Sequence, residues 1–309
     1  MDQSIINVGL CCLDIISICN TYPLEDSDQR VIDQRWHRGG NASNTSTVLS
    51  LLGHKSAFVG TVARSHELSF LEKDFKKYDI NIDRAIVKAD CSAPTSICII
   101  NQQNGSRTIL HHNKDLPELS CEEFKQFPLD SGIKWIHFEG RPNTDQIVGM
   151  LQHVETYNKS LGVNQPRIVT SVEFEKKREF SPIETFPDYL FISKEHAQFH
   201  GLKSKEQAVE FFVSKIKPSA SVICAWSEDG AIAITKDSSP VTSAIFPPPK
   251  VIDTLGAGDT FNAATISALS KGHSLKDSIT YGCKIAGAKC GIEGFDKLSD
   301  VVSFNVDTS

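Results

Sequence analysis

No apolar run in the sequence reaches the roughly 20 residues that a membrane-spanning helix needs, so no membrane association is expected. The opening MDQSIINVGLCCLDIIS has no basic leader, and Asp14 interrupts its apolar run, so no export signal is expected there. Basic charge is scarce as well. The 32 Lys and Arg stand against 38 Asp and Glu, a net charge of −6. That balance excludes a broad electrostatic surface for nucleic acid and leaves, at most, a local basic pocket for a charged ligand. The 9 cysteines form no CxxC or Cys/His ligand spacing. Most, such as Cys98 and Cys224, lie in apolar strand-like runs, which predicts reduced core thiols and a cytoplasmic protein. The phosphate-binding pattern GxxxxGK followed by Ser or Thr is absent, and so is the dinucleotide fingerprint GxGxxG. What remains is an ordinary globular composition, 40% hydrophobic and 23% charged, over 309 residues.

Short apolar runs alternate with amphipathic stretches. IINVGL, SAFVGTV, WIHFEG, RIVTSVEF, DYLFIS and SVICAW read as strands. NASNTSTVLSLLG reads as a helix capped at Asn41 and closed by Gly53. HELSFLEKDFKKYDI, QIVGMLQHVETYNK, KEQAVEFFVSKIK, TFNAATISALSKG and LKDSITYGCKIAGAKCG follow the helical pattern. This alternation predicts an α/β fold with a mostly parallel sheet and helices on both faces, with ligands beyond the carboxyl ends of the strands. Residues 16–37 and 92–112 break the pattern and read as strands without helices between them. SICIINQQNGSRTILHH suggests a hairpin turning at Asn104-Gly105-Ser106. These pieces are expected to form a small accessory sheet. The polar end from about Lys297 reads as loose.

The stretch with the most chemical content is DTLGAGDTFNAA, from Asp253 to Ala264. Gly256 and Gly258 allow positive φ and close approach of a ligand, and unpaired amides at a helix start attract an anion. Asp259 follows on the first turn. A carboxylate there repels a free phosphate, so the arrangement makes sense when a hydroxyl lies between the two. Asp259 then accepts the hydroxyl proton while the amides stabilise a transferring phosphoryl group. Read locally, the same residues serve equally as a tight turn and a charged helix start. RGGNASN is the second stretch: Asn44 falls one helical turn after Asn41, and both offer donors and acceptors suited to a polyol. The alternative is a capped helix after a glycine turn. Asp14, alone in an apolar run, should face a polar ligand or a turn. Arg107 follows the hairpin turn and either reaches phosphates or is an exposed charge. AWSEDGAI reads as strand, turn and strand, with Gly230 either admitting a nucleotide or making a plain turn. His111 and His112 point to opposite faces of a strand and are not a metal pair. EFEKKREF reads as a solvated surface.

GGNASN together with DTLGAGDTF resembles the ribokinase-like sugar kinases, the phosphofructokinase-B family, and the pair is far more specific than either motif alone. LDIIS, YPLEDSD, QRWHRGGNASN, CIINQQNGSRTI, KWIHFEGR, AWSEDGA, FPPPKVIDTLGAGDTFNA and AGAKCGIEGFD narrow the match to its fructose-phosphorylating members, from about Asn7 to Asp296. The resemblance implies one kinase domain over residues 1–309: a Rossmann-type sandwich with a β-sheet lid from about 16–37 and 92–112. It also implies a homodimer formed through that lid. The implied reaction is ATP-dependent phosphorylation of fructose at its 1-hydroxyl, with Mg–ATP as co-substrate and K+ as a companion ion. Carried over, Asp14, Gly40, Asn41 and Asn44 hold the sugar and Asp259 is the catalytic base. Gly256, Ala257 and Gly258 form the anion hole, and Arg107 reaches the ATP phosphates. Ser227, Glu228, Asp229 and Gly230 line the nucleotide site. Asp26 matches a lid residue that approaches the sugar of a second subunit. The family's magnesium-linked NxxE pattern is broken here at Ser193-Lys194-Glu195-His196, so no direct protein ligand for the metal is carried over. Alternatives are another acceptor, ribose or a nucleoside, and a sugar or nucleotide sensor without turnover.

Overall fold

A computed structural model describes residues 3–300; the end of the chain that reads as loose lies largely outside them. In chain order its first half contains strands β1 (Ser4–Val8), β2 (Cys12–Cys19) and β3 (Asp33–Gly39), helix α1 (Asn41–Leu51), strands β4 (Ser56–Val59) and β5 (Thr61–Ala63), and helix α2 (Leu68–Lys77). Strands β6 (Ile86–Lys88), β7 (Thr95–Asn101) and β8 (Arg107–His112) follow, then α3 (Cys121–Phe124), β9 (Ile133–Glu139) and α4 (Thr144–Ser160). The second half adds β10 (Val169–Phe174), β11 (Tyr189–Ser193), α5 (Lys194–Phe199), α6 (Lys205–Val213), β12 (Ser221–Ala225), β13 (Ala231–Thr235), β14 (Val241–Ser243), α7 (Ala257–Ser270) and α8 (Leu275–Cys290).

Eight strands form the central sheet, in the order β14-β13-β12-β11-β10-β9-β1-β4. The run from β12 to β4 is parallel, and β13 and β14 are antiparallel additions at one edge. Both faces are covered, which is why these strands read as near-continuous apolar runs. Alternation splits each strand between the faces. Ile6, Ile136 and Val172 pack with Met150 and Val154 of α4 and Phe212 of α6. Ile5, Trp135 and Ile223 pack with Val48 of α1, Ile266 of α7 and Ile279 of α8. Cys98 and Cys224 are fully buried free thiols, as their apolar settings predict.

Strands β3-β2-β7-β8 make the second, four-stranded sheet. It begins at Cys12, so Asp14 lies inside its first strand, opposite His37 and Ser96. The hairpin turn falls where Asn-Gly-Ser predicts, with Gly105 at φ 68°. SAFVGTV, which reads as one strand, is two, β4 and β5, parted at Gly60; β6 and helices α3 and α5 are too short to show a period.

Candidate active site

The site is built from two glycine turns, each starting a helix, the first directly after β3 and the second after the irregular segment 244–254. At the first, Gly40 has φ 97°, and a Cβ there would lie 2.2 Å from the Leu10 carbonyl oxygen. A Cβ on Gly39 would strike the Asp14 carboxylate at 2.1 Å. Only glycine lets β3 pass this close to β2 before α1 begins. The helix cap is Gly40 rather than Asn41, and no side chain caps this end. Asn41 is the first helical residue. Its amide donates instead to Glu173 Oε2 at 3.1 Å and Glu175 Oε2 at 2.9 Å. Two carboxylates at the end of β10 hold its NH2 group.

At the second turn Gly256 takes φ 76°, with the Phe295 ring 2.5 Å from where a Cβ would sit. Behind it, Asp253 is pinned by Lys289 at 2.9 Å and accepts the amides of Leu255 and Gly294. In front, a Cβ on Gly258 would meet nothing within 4 Å, so this face of the turn opens onto free space. Helix α7 starts at Ala257, and its first-turn amides have no acceptor within the helix. Asp259 sits on that turn, buried. Asn44 Nδ2 donates to Asp259 Oδ2 at 2.8 Å. Residues 215 positions apart are thereby joined, one from each motif. Asn44 Oδ1 is buried and has no partner among the described residues, which leaves it to accept from a ligand hydroxyl.

Burial pushes the Asp259 carboxyl up to about 8. The Asn44 hydrogen bond opposes this, while the nearby Glu175 and Glu139 charges add to it. A carboxylate tuned near neutrality suits a general base working at that pH. Asp14 is also raised by burial, with the Ser96 hydroxyl and Cys12 thiol opposing. Ser96 in turn contacts His111 Nδ1 at 3.1 Å.

Three acidic residues at strand ends belong to this site, although sequence reading passed over them. Glu139 ends β9; its Oε2 accepts the amides of Leu10 at 2.9 Å and Ala42 at 3.2 Å, and Arg141 pairs with its other oxygen. Glu173, in β10, and Glu175, just beyond that strand, hold Asn41. EFEKKREF is therefore not a solvated surface: its first residue, Glu173, is only 5% exposed, and Lys176 pairs with Glu175. The available signal was position, since each follows an apolar strand at the sheet edge where parallel folds bind ligands.

The remaining predicted residues divide. Arg107 reaches from the small sheet to the second turn, donating to Thr254 Oγ1 at 3.1 Å. Ser227, Glu228 and Asp229 form a single helical turn at the carboxyl end of β12, closed by Gly230 at φ 72°. They share the sheet edge with Glu173, two strands away. Glu228 pairs with Lys194, and Asp229 pairs with Lys205 at 2.9 Å, so these carboxylates are already engaged. Asp26 is exposed, beyond the Ile18–Asp33 end of the β2–β3 pair, whereas Asp14 and Gly39 lie towards the other end.

A buried carboxyl on the first turn of a helix, with an arginine reaching the same turn from a second sheet, is an arrangement that phosphoryl transfer to a small molecule can use. The chain belongs to the pfkB family of carbohydrate kinases, whose model matches residues 2–298. It is 43% identical to the ketohexokinase of Mus musculus over 96% of this chain and 99% of that one. It is 22% identical to a nucleoside kinase of Methanocaldococcus jannaschii, over 97% of this chain and 90% of the other. Among solved structures, an Arabidopsis thaliana ribokinase complexed with ribose and ATP superposes over the full length of both chains, with a TM-score of 0.80 at 16% identity.

Proposed function

We propose that the protein is a ketohexokinase, transferring the γ-phosphoryl group of ATP to the 1-hydroxyl of fructose. The observation that carries this reading is the bond from Asn44 to Asp259, which sets the polyol-binding helix against the base at the anion-binding turn. The 43% identity to a ketohexokinase over nearly the whole chain supports the choice of acceptor.

In this reading Asp14, Asn41 and Asn44 hold the sugar, with Gly39 and Gly40 giving it room beside Asp14. Asp259 removes the hydroxyl proton. The freed oxygen attacks the γ-phosphorus, and the bond to the ADP oxygen breaks. The Gly256-Ala257-Gly258 turn and the α7 amides face the charge on the transferring group, and Arg107 stands over the phosphates. The residues suit an anion here: open space before Gly258, first-turn amides without an acceptor inside the helix, and the Arg107 guanidinium at Thr254. Magnesium bound with the nucleotide would neutralise phosphate charge, with K+ as a companion ion. Ser227 and Gly230 offer backbone to the nucleotide, their neighbours' carboxylates being held by lysines. The small sheet acts as the lid of one continuous kinase domain, excluding water during transfer.

We place a homodimer on the outer face of that lid. Trp36, Ile15, Ile97 and Leu110 form one cross-strand row over all four strands. Trp36, Ile97 and Leu110 are each about half exposed, a row that a second copy would cover. Asp26 would then act towards the other subunit's sugar. The protein works in the cytoplasm, in keeping with its nine free thiols.

The test is product identification by NMR after incubation with fructose and Mg–ATP, with ribose, adenosine and fructose 6-phosphate as rival acceptors. Phosphate on C1 of fructose is the expected result. Phosphate on C6, or turnover of a rival alone, would sink the assignment.

A further inference from the structure

We infer that Glu173 is a positioning residue: its single carboxylate ties the start of α1 to α7, and so sets the gap in which the sugar hydroxyl meets Asp259. This rests on the kinase reading above. Glu173 Oε2 accepts from Asn41 on α1 at 3.1 Å, and Glu173 Oε1 accepts from Asn262 on α7 at 2.7 Å. Asn262 lies three residues after Asp259, on the same helical face. Asn41 lies three residues before Asn44, which bonds Asp259 at 2.8 Å. The contacts close a ring: Asp259 to Asn44, along α1 to Asn41, across Glu173 to Asn262, and back along α7 to Asp259. Neither helix can shift along its axis or roll without breaking a charge-assisted bond.

The ring also fixes which polar atoms face the sugar. In their ionised forms these acids only accept, and each asparagine turns its NH2 towards its acid. Asn41 spends its donor group on Glu173 and Glu175, and Asn44 directs its own to Asp259. What Asn41 can still offer a ligand is its carbonyl oxygen, and Asn44 offers its Oδ1, buried without a partner among the described residues, beside the second N–H of its amide. Such a wall reads hydroxyl groups. The arrangement is costly. Glu173 is buried beside Asp259 and Glu175, and burial and both charges raise its proton affinity. A core needing only stability would not cluster acids here, whereas a site needing oriented amides would tolerate the cost.

The experiment is steady-state kinetics of Glu173→Gln, Asn262→Ala, Asn41→Ala and the Glu173→Gln/Asn262→Ala pair in the full-length protein. Glu173→Gln should raise the fructose KM or lower kcat about 10-fold while the ATP KM stays within about twofold. The pair should be no worse than its worse member, because both changes cut one tether. A merely structural role would reduce the active fraction and the melting temperature with both KM values unchanged. That result would overturn the proposal, as would a pair whose losses multiply. If Glu173→Gln fails to fold, Asn262→Ala cuts the tether from the other side and carries the same expectation. Should the wild type prefer another acceptor, the function reading fails; the same variants measured on that acceptor still decide the role of Glu173.

Discussion

Asp253 and Asp259 flank one glycine turn, both are buried, and their surroundings drive them in opposite directions. Asp253 faces away from the open space. Lys289 lies at 2.9 Å, and the Leu255 and Gly294 amides complete its shell. Burial opposes its ionisation, but the lysine and the amides win and hold the carboxyl below the usual range. Asp259 has one amide partner and no lysine or arginine paired to it among the described residues, so burial prevails and its carboxyl rises to about 8. The same residue type, six positions apart, is a lysine-paired strut on one side of the turn and a carboxyl with raised proton affinity on the other. The partner shell decides which, and sequence alone does not display that shell.

The contrast is sharpest in the response to an amide. Asp259→Asn keeps the shape and the Asn44 contact but removes the proton acceptor. Loss of a general base costs about 10²–10⁴-fold in turnover. A coupled ADP-release assay with fructose should show a loss of that order in kcat. Full turnover by the variant would remove Asp259 from the mechanism and collapse the distinction between the two acids.

Next in size is the strut. Lys289→Ala leaves Asp253 buried without its cation, a change that typically costs about 3–5 kcal/mol. The urea midpoint should fall accordingly. Asp253→Asn/Lys289→Met should lose less, because no buried charge is stranded and the asparagine carbonyl still accepts one of the two amides that Asp253 holds on separate oxygens. If Lys289→Ala unfolded at the wild-type midpoint, the Asp253 side of the turn would not be a strut.

Much of this was legible in the sequence. GGNASN and DTLGAGDTF were read as two halves of one site, and a bond between their side chains joins them. The strands and longer helices fell where their periods put them, because apolar spacing is a local signal. Side-chain partners across the sheet were not legible. Asn41 looks like a cap in the string, yet Glu173 and Glu175, more than 130 residues away, claim it. EFEKKREF looks solvated because it is charged, yet the end of β10 turns its first glutamate inwards. Glu228 and Asp229 look available until Lys194 and Lys205 arrive from α5 and α6. In each case a parallel sheet, with crossovers tens of residues long, supplies the missing partner.

A smaller effect is expected where the small sheet touches the turn. Arg107 is exposed and bonds Thr254, one residue beyond Asp253. Exposed polar contacts contribute little to stability, so Arg107→Ala should leave the urea midpoint unchanged. Lost phosphate contact should raise the ATP KM by about 10-fold and leave the fructose KM near wild type. A variant affecting both substrates equally would make Arg107 a latch for the lid instead of a phosphate contact.

The smallest effect separates the two acids by pH. Asp259 has a folded pKa of about 8, above an unfolded value of about 3.9. The native state therefore holds the proton more tightly, and this residue's contribution to stability falls as pH climbs from the unfolded value towards 8. Asp253 is depressed, so its contribution is present above the unfolded pKa and is lost as pH falls through the folded one. Asp259→Asn removes the first slope. The variant should melt higher than the wild type by about 2–4 °C at pH 8, with the gain shrinking towards pH 5. Asp253→Asn should do the reverse, losing most at pH 8 and less in acid. Thermal scans of both variants at the two pH values read the difference directly. Parallel shifts in the two variants would mean that burial alone governs both acids, and that Lys289 does not set them apart.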